Sequence, residues 1–423
     1  MTSSTGIRFA ITLAMIIITL TAVTTVFAHT NKFCIRAGEY EPGGFAYEDR
    51  NVGDWWVSTA SRPLRGVRMR VKNNGVQIFI GNADQSGCTP NLNMTQGTFQ
   101  LDVYSWGYPL YPLTSTTLQV KNSTFGGPIY EVRTMNGSVG SSWTKVVDPL
   151  DGTKQDIWFL YAAAAETLHN EPVPGTFKIY YDATTITAGT IGGITYIGQR
   201  SARVRFTIAH ELGHQYMDLA NEALINSASY SETGCISNCP ETCKSGNTFA
   251  GGTYADCHHK LTSNEYMTAA MTEGWAHYVA ALIWNTTANC YFPEFDSSIN
   301  GYAAVNCRYG TPGYPINYIR YKCEPSCTTP GSAACLNHGV PLDWLRTFWR
   351  TNRTQNCGGT IPAWLDVFAN PGIGANLNAC NAFERLDLRV AGTPFEACWT
   401  SAADNNGINR PSGTCQPPAC VSL

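Results

Sequence analysis

Apolar residues recur along this chain with two different periods. Between residue 30 and about 150 the period is two. The runs 66–73 (GVRMRVKN), 76–81 (VQIFIG), 98–106 (TFQLDVYSW), 116–122 (TTLQVKN) and 129–134 (IYEVRT) alternate or stay apolar, with Gly, Asn and Pro between them. That pattern predicts strands. From 153 the pattern changes: 153–170 (TKQDIWFLYAAAAETLHN) predicts a helix stopped by Pro172 and Pro174, and 177–185 and 192–199 predict two further strands. Helical spacing returns at 204–220, 267–284, 340–353, 362–370 and 378–390. The order predicts an α+β chain. Its parts would be a β-sandwich-like N-terminal domain over 29–150, a mixed core over 151–285 and a helical C-terminal region over 286–423. The β-rich part reads equally well as a propeptide.

One apolar run stands apart. Residues 9–28 (FAITLAMIIITLTAVTTVFA) follow Arg8 and end on Val26-Phe27-Ala28, so 1–28 reads as a signal peptide cleaved after Ala28. The run is also long enough for an uncleaved anchor, but its threonines and small-residue end favour cleavage. The chain is therefore expected to be secreted, extracellular or periplasmic, with no membrane attachment after cleavage. All 16 cysteines follow this segment, an even number that reads as a disulfide framework. Cys34 and Cys88 are the only two before the core and can close their own bridge. The sequons at Asn93, Asn122, Asn136, Asn285 and Asn352 are glycan sites in a eukaryotic secretory pathway. A net charge of −3 with scattered Lys and Arg argues against nucleic acid or an anionic membrane as partner.

Chemistry enters with residues 204–220, VRFTIAHELGHQYMDLA, where His210, Glu211 and His214 spell H-E-x-x-H. Histidines four apart on a helix stand one turn above each other, so both imidazoles can face one metal ion. Glu211 lies about 100° round the helix from His210, placed to take a proton from water beside the metal. Phe206, Ala209, Leu212, Gly213, Tyr216 and Ala220 supply the apolar or small face, and Ser201 is a candidate N-cap. Gly213 costs a helix about 1 kcal/mol against Ala, which makes sense where another backbone approaches closely.

A catalytic zinc site usually takes three protein ligands. A third histidine in the H-E-x-x-H-x-x-G-x-x-H pattern is missing, because Met217 and Ala220 occupy the two decisive positions. Asp218 and Glu222 lie too far along the same helix. Glu273 in 267–284 (MTAAMTEGWAHYVAALIW) is the better candidate, because Tyr266, Ala270, Glu273, His277, Ala280 and Trp284 share one face. A carboxylate in such an apolar helix costs several kcal/mol to bury unless it is paired or metal-bound. Asp256, His258 and His259 are the alternative ligands.

HELGH followed by a helix bearing TEGWAHY resembles the glutamate zincins (gluzincins), thermolysin-like and especially fungalysin-like peptidases. The resemblance covers about 190–285. It implies a zincin-like core, His210, His214 and Glu273 as ligands of one Zn²⁺, and Glu211 as general base. It also implies a substrate-binding edge strand just before the zinc helix, for which Ile194–Gly198 (Ile194, Thr195, Tyr196, Ile197, Gly198) is the candidate. The interval between His214 and Glu273 is much longer than in typical members. His277 stands where members often carry an aspartate that orients a ligand histidine, and a neutral His277 could accept a hydrogen bond there or bind substrate.

Cys235, Cys239, Cys243 and Cys257 fill that interval, and 228–262 is expected to be a disulfide-stapled insertion near the cleft. The resemblance further implies a His or Tyr from the C-terminal side that stabilises an oxyanion, for which His338, Tyr314 and Tyr318 are candidates. The expectation is a secreted, monomeric zinc metallopeptidase, most readily an endopeptidase, acting on peptide or protein substrates. A zinc hydrolase of non-peptide substrates and a non-catalytic binding protein on the same scaffold remain open. Intact Glu211 speaks against the last.

Overall fold

The computed structural model describes residues 28–42, 56–123, 129–147, 155–185, 188–199, 201–203, 205–220, 265–284, 338–339, 341–349, 351–352, 357, 359–369, 382–406 and 408. It is mixed α/β, with two main sheets and seven α-helices among the described residues. A nine-stranded sheet carries the core. Its order is β12 (Ala188–Ile191), β13 (Ile194–Gly198), β11 (Gly175–Asp182), β7 (Thr116–Asn122), β6 (Gly97–Gly107), β3 (Val67–Asn73) and β4 (Val76–Asn82). Two further strands, β8 (Ile129–Tyr130) and β9 (Val132–Val139), pair with β7 and β6.

The alternation read from the sequence sets the two faces of this sheet. In β3, Val67, Met69 and Val71 are buried while Arg68, Arg70 and Lys72 are partly exposed. Likewise β11 buries Phe177, Ile179 and Tyr181 on the side where α1 (Gln155–Asn170) and α2 (Arg205–Leu219) pack. Asn74-Gly75, both at positive φ, turns β3 into β4 by the two-residue route that such a pair favours.

A second, four-stranded sheet centres on β1 (Ala28–Pro42), which pairs with β10 (Trp143–Val147), β2 (Trp56–Pro63) and β5 (Leu92–Thr95). Phe33 of β1 and Trp143 of β10 meet Phe99 of β6 edge-on and tilted, with ring centroids 5.0 and 5.6 Å away, so the two sheets share one core. Cys34 and Cys88 are bonded, as their isolation in the N-terminal segment predicts. A second bridge joins Cys357 to Cys398. The other cysteines lie outside the described residues.

The boundary expected at 150 does not divide the sheet. Strand β11 pairs in parallel with β7, in a register that sets Phe177 against Leu118 and Ile179 against Val120. Parallel neighbours need a crossover, and α1 lies within it. Helix α1 is fastened to the N-terminal strands as well. Tyr161 Oη donates to the Arg65 carbonyl at 3.1 Å, and Arg65 Nε donates to Glu166 Oε2 at 2.8 Å.

Burial alone would raise the Glu166 carboxyl, but the hydrogen bond and charge of Arg65, with the charge of Arg62, outweigh it and hold the group below its ordinary range. A depressed folded-state value gives stability that is full above the unfolded value and lost as pH falls through the folded one. Glu166→Gln is therefore expected to flatten the acid limb of stability below about pH 4.5 and to cost about 1–3 kcal/mol at neutral pH. Urea midpoints across that range are the check. An acid limb as steep as in the wild type would discount the pair.

The C-terminal helices build an aromatic packing that is continuous with the rest of the core. These are α4 (Pro341–Trp349), α5 (Ile361–Ala369), α6 (Ala382–Val390) and α7 (Glu396–Asn406). They close on α3 (Met267–Trp284), whose Trp275 touches Tyr278, Phe348, Trp364 and Phe368. Trp364 in turn stacks on Phe395 at 4.6 Å. Asn352, one of the sequons, is buried and donates to Tyr278 Oη, which leaves no room for a glycan, whereas Asn93 and Asn136 are exposed. No helix among the described residues is long and apolar enough to cross a membrane.

Candidate metal centre

Helix α2 is buried from Arg205 to Met217, and the burial includes polar groups that water would otherwise solvate: His210, Glu211, His214 and Gln215. Such groups stay inside only when something pairs them. Part of the partnering comes from α3, which crosses α2 at very short range. A Cβ placed on Gly213 would lie 2.8 Å from Ala276 Cα, so only glycine fits at the crossing. Trp275 Nε1 donates to the Gly213 carbonyl at 3.0 Å. On the far side of α3, a Cβ on Gly274 would lie 2.4 Å from Trp344 Cβ, which brings α4 equally close. The glycines of HELGH and of EGW are thus both contact points between helices.

The crossing gathers four side chains. His210 Nε2 lies 3.2 Å from His214 Nε2 and 3.2 Å from Glu273 Oε2, and His214 Nε2 lies 3.6 Å from Glu273 Oε1. His277, one turn beyond Glu273 on α3, faces the other edge of the His210 ring, Nδ1 to Nδ1 at 3.2 Å. His210, Glu273 and His277 each offer a ligand atom within 4.8 Å of one another, all three buried. A buried His–Glu–His group able to hold a metal ion is therefore present.

Burial holds His210 below the ordinary imidazole range, aided by His277 and opposed by Glu273. Burial likewise raises the Glu211 carboxyl, while His210 and His214 pull it the other way. Neutral imidazole is the form that binds metal.

Glu211 belongs to a second set of contacts, with the sheet. Thr190 Oγ1 donates to Glu211 Oε2 at 2.9 Å. Gln215 Nε2 donates to Thr195 Oγ1 at 2.7 Å and to the Lys178 carbonyl at 2.8 Å. The Gly193 amide donates to Asp218 Oδ2 at 3.0 Å. Glu211, Gln215 and Asp218, spaced four and three apart, thus pin the β12–β13 hairpin to one face of α2.

Of the site residues expected from sequence, His210, His214, Glu273 and His277 come together, and Glu211 feels the charges of the first three while its carboxylate contacts Thr190. The expected edge strand does not lie at the edge. Ile194–Gly198 is paired on both sides, with β11 in parallel and β12 antiparallel, and among the described residues the outer strand at this end of the sheet is Ala188–Ile191. The cause is Gly192-Gly193, both at positive φ, which make a two-residue hairpin and fold 188–191 back outside β13. That glycine pair was the available signal for β12 and for Thr190, which the sequence reading missed.

His338 lies in β15 (His338–Gly339), a ribbon partner of β14 (Glu265–Tyr266) at the start of α3. Asp256, His258, His259, Tyr314, Tyr318 and the insertion 228–262 lie outside the described residues.

No protein-family model and no curated protein matches this chain. Among solved structures, a 5-hydroxyisourate hydrolase from Klebsiella pneumoniae is similar over 29% of this chain and 92% of its own length. At 8% identity and a TM-score of 0.15, that likeness has no bearing on function.

Proposed function

We propose that the protein is a zinc metallopeptidase of the glutamate-zincin kind, with Zn²⁺ held by His210, His214 and Glu273. The observation that carries this reading is the spacing of the three donors. A tetrahedral site with bonds of about 2.0–2.1 Å sets its ligand atoms roughly 3.3–3.4 Å apart. The three separations here are 3.2, 3.2 and 3.6 Å. His277 meets His210 through the opposite nitrogen, so it belongs behind the ligand rather than on the ion. With Nε2 of a neutral His210 given to metal, its proton sits on Nδ1, where His277 Nδ1 accepts it.

Bound zinc polarises a substrate carbonyl and acidifies water. The chain's own carboxylate then handles the proton. Glu211 takes it from the attacking water as the new C–O bond forms, and returns it to the amide nitrogen as the C–N bond breaks. Outer strand β12 offers backbone groups along which an extended peptide can lie, beside Glu211. The two disulfides among the described residues suggest an oxidising compartment, which suits an exported enzyme.

The test is metal analysis joined to a substrate panel. One equivalent of zinc, peptide cleavage abolished by a chelator and restored by zinc, and loss of the equivalent in His210→Ala are the expected results. A full equivalent in His210→Ala would refute the ligand set. Zinc-dependent turnover of esters or small amides alone would move the reading to another class of hydrolase.

A further inference from the structure

The contacts around Thr190 carry an inference that rests on the proposed role of Glu211. Gln215 spends both amide protons, one on the Lys178 carbonyl and one on Thr195 Oγ1, while its Oε1 accepts from the Lys178 amide at 3.2 Å. The buried Thr195 hydroxyl is therefore an acceptor from Gln215. Its own proton has two destinations, Thr190 Oγ1 at 2.7 Å and the Glu211 carbonyl at 3.4 Å, and the shorter is favoured. Thr190, receiving that proton, has its own left to give.

It can reach the Glu211 carbonyl at 3.0 Å or Glu211 Oε2 at 2.9 Å. A carbonyl within a helix already serves the amide four residues on, whereas a carboxylate oxygen is a charged acceptor that takes the stronger bond. The distances thus favour one direction along the chain of donors: Gln215 to Thr195 to Thr190 to the carboxylate.

We propose that Thr190 and Thr195 are positioning residues for Glu211, forming a one-way hydroxyl relay anchored by Gln215 that sets the orientation of the general base. Thr190 supplies the direct contact. Thr195 fixes which way the Thr190 hydroxyl points. The relay also ties the base to outer strand β12, so the strand proposed to take substrate and the carboxylate proposed to act on it share one hydrogen-bonded frame.

The variants Thr190→Val and Thr190→Ser separate shape from hydroxyl. With wild-type zinc content, Thr190→Val is expected to lower kcat about 10–100-fold with KM within about twofold, and Thr190→Ser to recover most of the loss. A loss of the same size in Thr190→Ser, or a change in KM with kcat intact, would overturn the relay.

A second readout needs no turnover. In thermal melts of the full chain stripped of metal, the fall in Tm from Thr190→Val should shrink by at least half in a Glu211→Ala background. Additive shifts would overturn the relay. If the wild type cleaves no peptide with zinc bound, the proposed reaction falls, and the melting cycle still decides whether Thr190 holds Glu211.

Discussion

Glu211→Gln is expected to keep its zinc and to hydrolyse peptides about 10²–10⁴-fold more slowly than the wild type, with KM little changed. Glutamine preserves the shape of the side chain, and its amide oxygen can still receive the Thr190 proton, so packing in α2 is undisturbed. What it cannot do is take a proton from water. The proposed metal donors are His210, His214 and Glu273, none of which the change touches. Zinc analysis and steady-state kinetics on the same preparation are the measurements. Undiminished turnover at full zinc occupancy would remove Glu211 from the mechanism.

The second large effect concerns the N-terminal strands. A chain starting at 151 is expected to show no cooperative unfolding transition at all. It would lose β7, the hydrogen-bonded neighbour of β11, together with β6 and β3. The side chains of Met69, Leu101, Val103, Leu118 and Val120, all fully buried, go with them. At about 1.5–3 kcal/mol each these five alone contribute roughly 10 kcal/mol. That is comparable with the whole net stability of an ordinary domain, about 5–15 kcal/mol. A full-length chain nicked within 148–154 should stay in one piece on gel filtration and separate only in denaturant. Release of the 29–150 fragment under native conditions, leaving an active remainder, would instead establish it as a propeptide.

The sequence made the periodic elements legible and left the pairings dark. The alternation in 66–73 and 98–106 and the helical spacing in 204–220 and 267–284 each report a local burial pattern, and each has its element in the structure. The pairing of β7 with β11 joins residues more than fifty positions apart through a parallel ladder, and no local periodicity encodes that. For this reason the sequence did not show that one sheet takes strands from both sides of residue 150. Short elements were lost differently: AGTI at 188–191 is too brief to show a period, and the glycine pair after it was read as the start of a strand. Helix α7, EACWTSAADNN, spreads its few apolar residues too thinly to stand out.

The site was legible further than the fold. His210, Glu211 and His214 stand out through the H-E-x-x-H spelling, and helical spacing puts the two imidazoles on one face. Glu273 needed an argument about a carboxylate in an apolar helix, and its oxygens lie against the two imidazoles. Thr190 and Gln215 carried no such mark. Threonine and glutamine are ordinary in a strand and a helix, and only their distances to Glu211, Thr195 and Lys178 give them a role.

The crossing of α2 and α3 at Gly213 also bears on how an ion would be received. Backbone against backbone there, with an indole bonded to a peptide oxygen, leaves little play between the stretches bearing the imidazoles and the acid. Such a socket is already cut to size before its occupant arrives. Loading it should resemble filling a rigid chelator, with little rearrangement of the chain, and emptying it should leave the surrounding architecture standing.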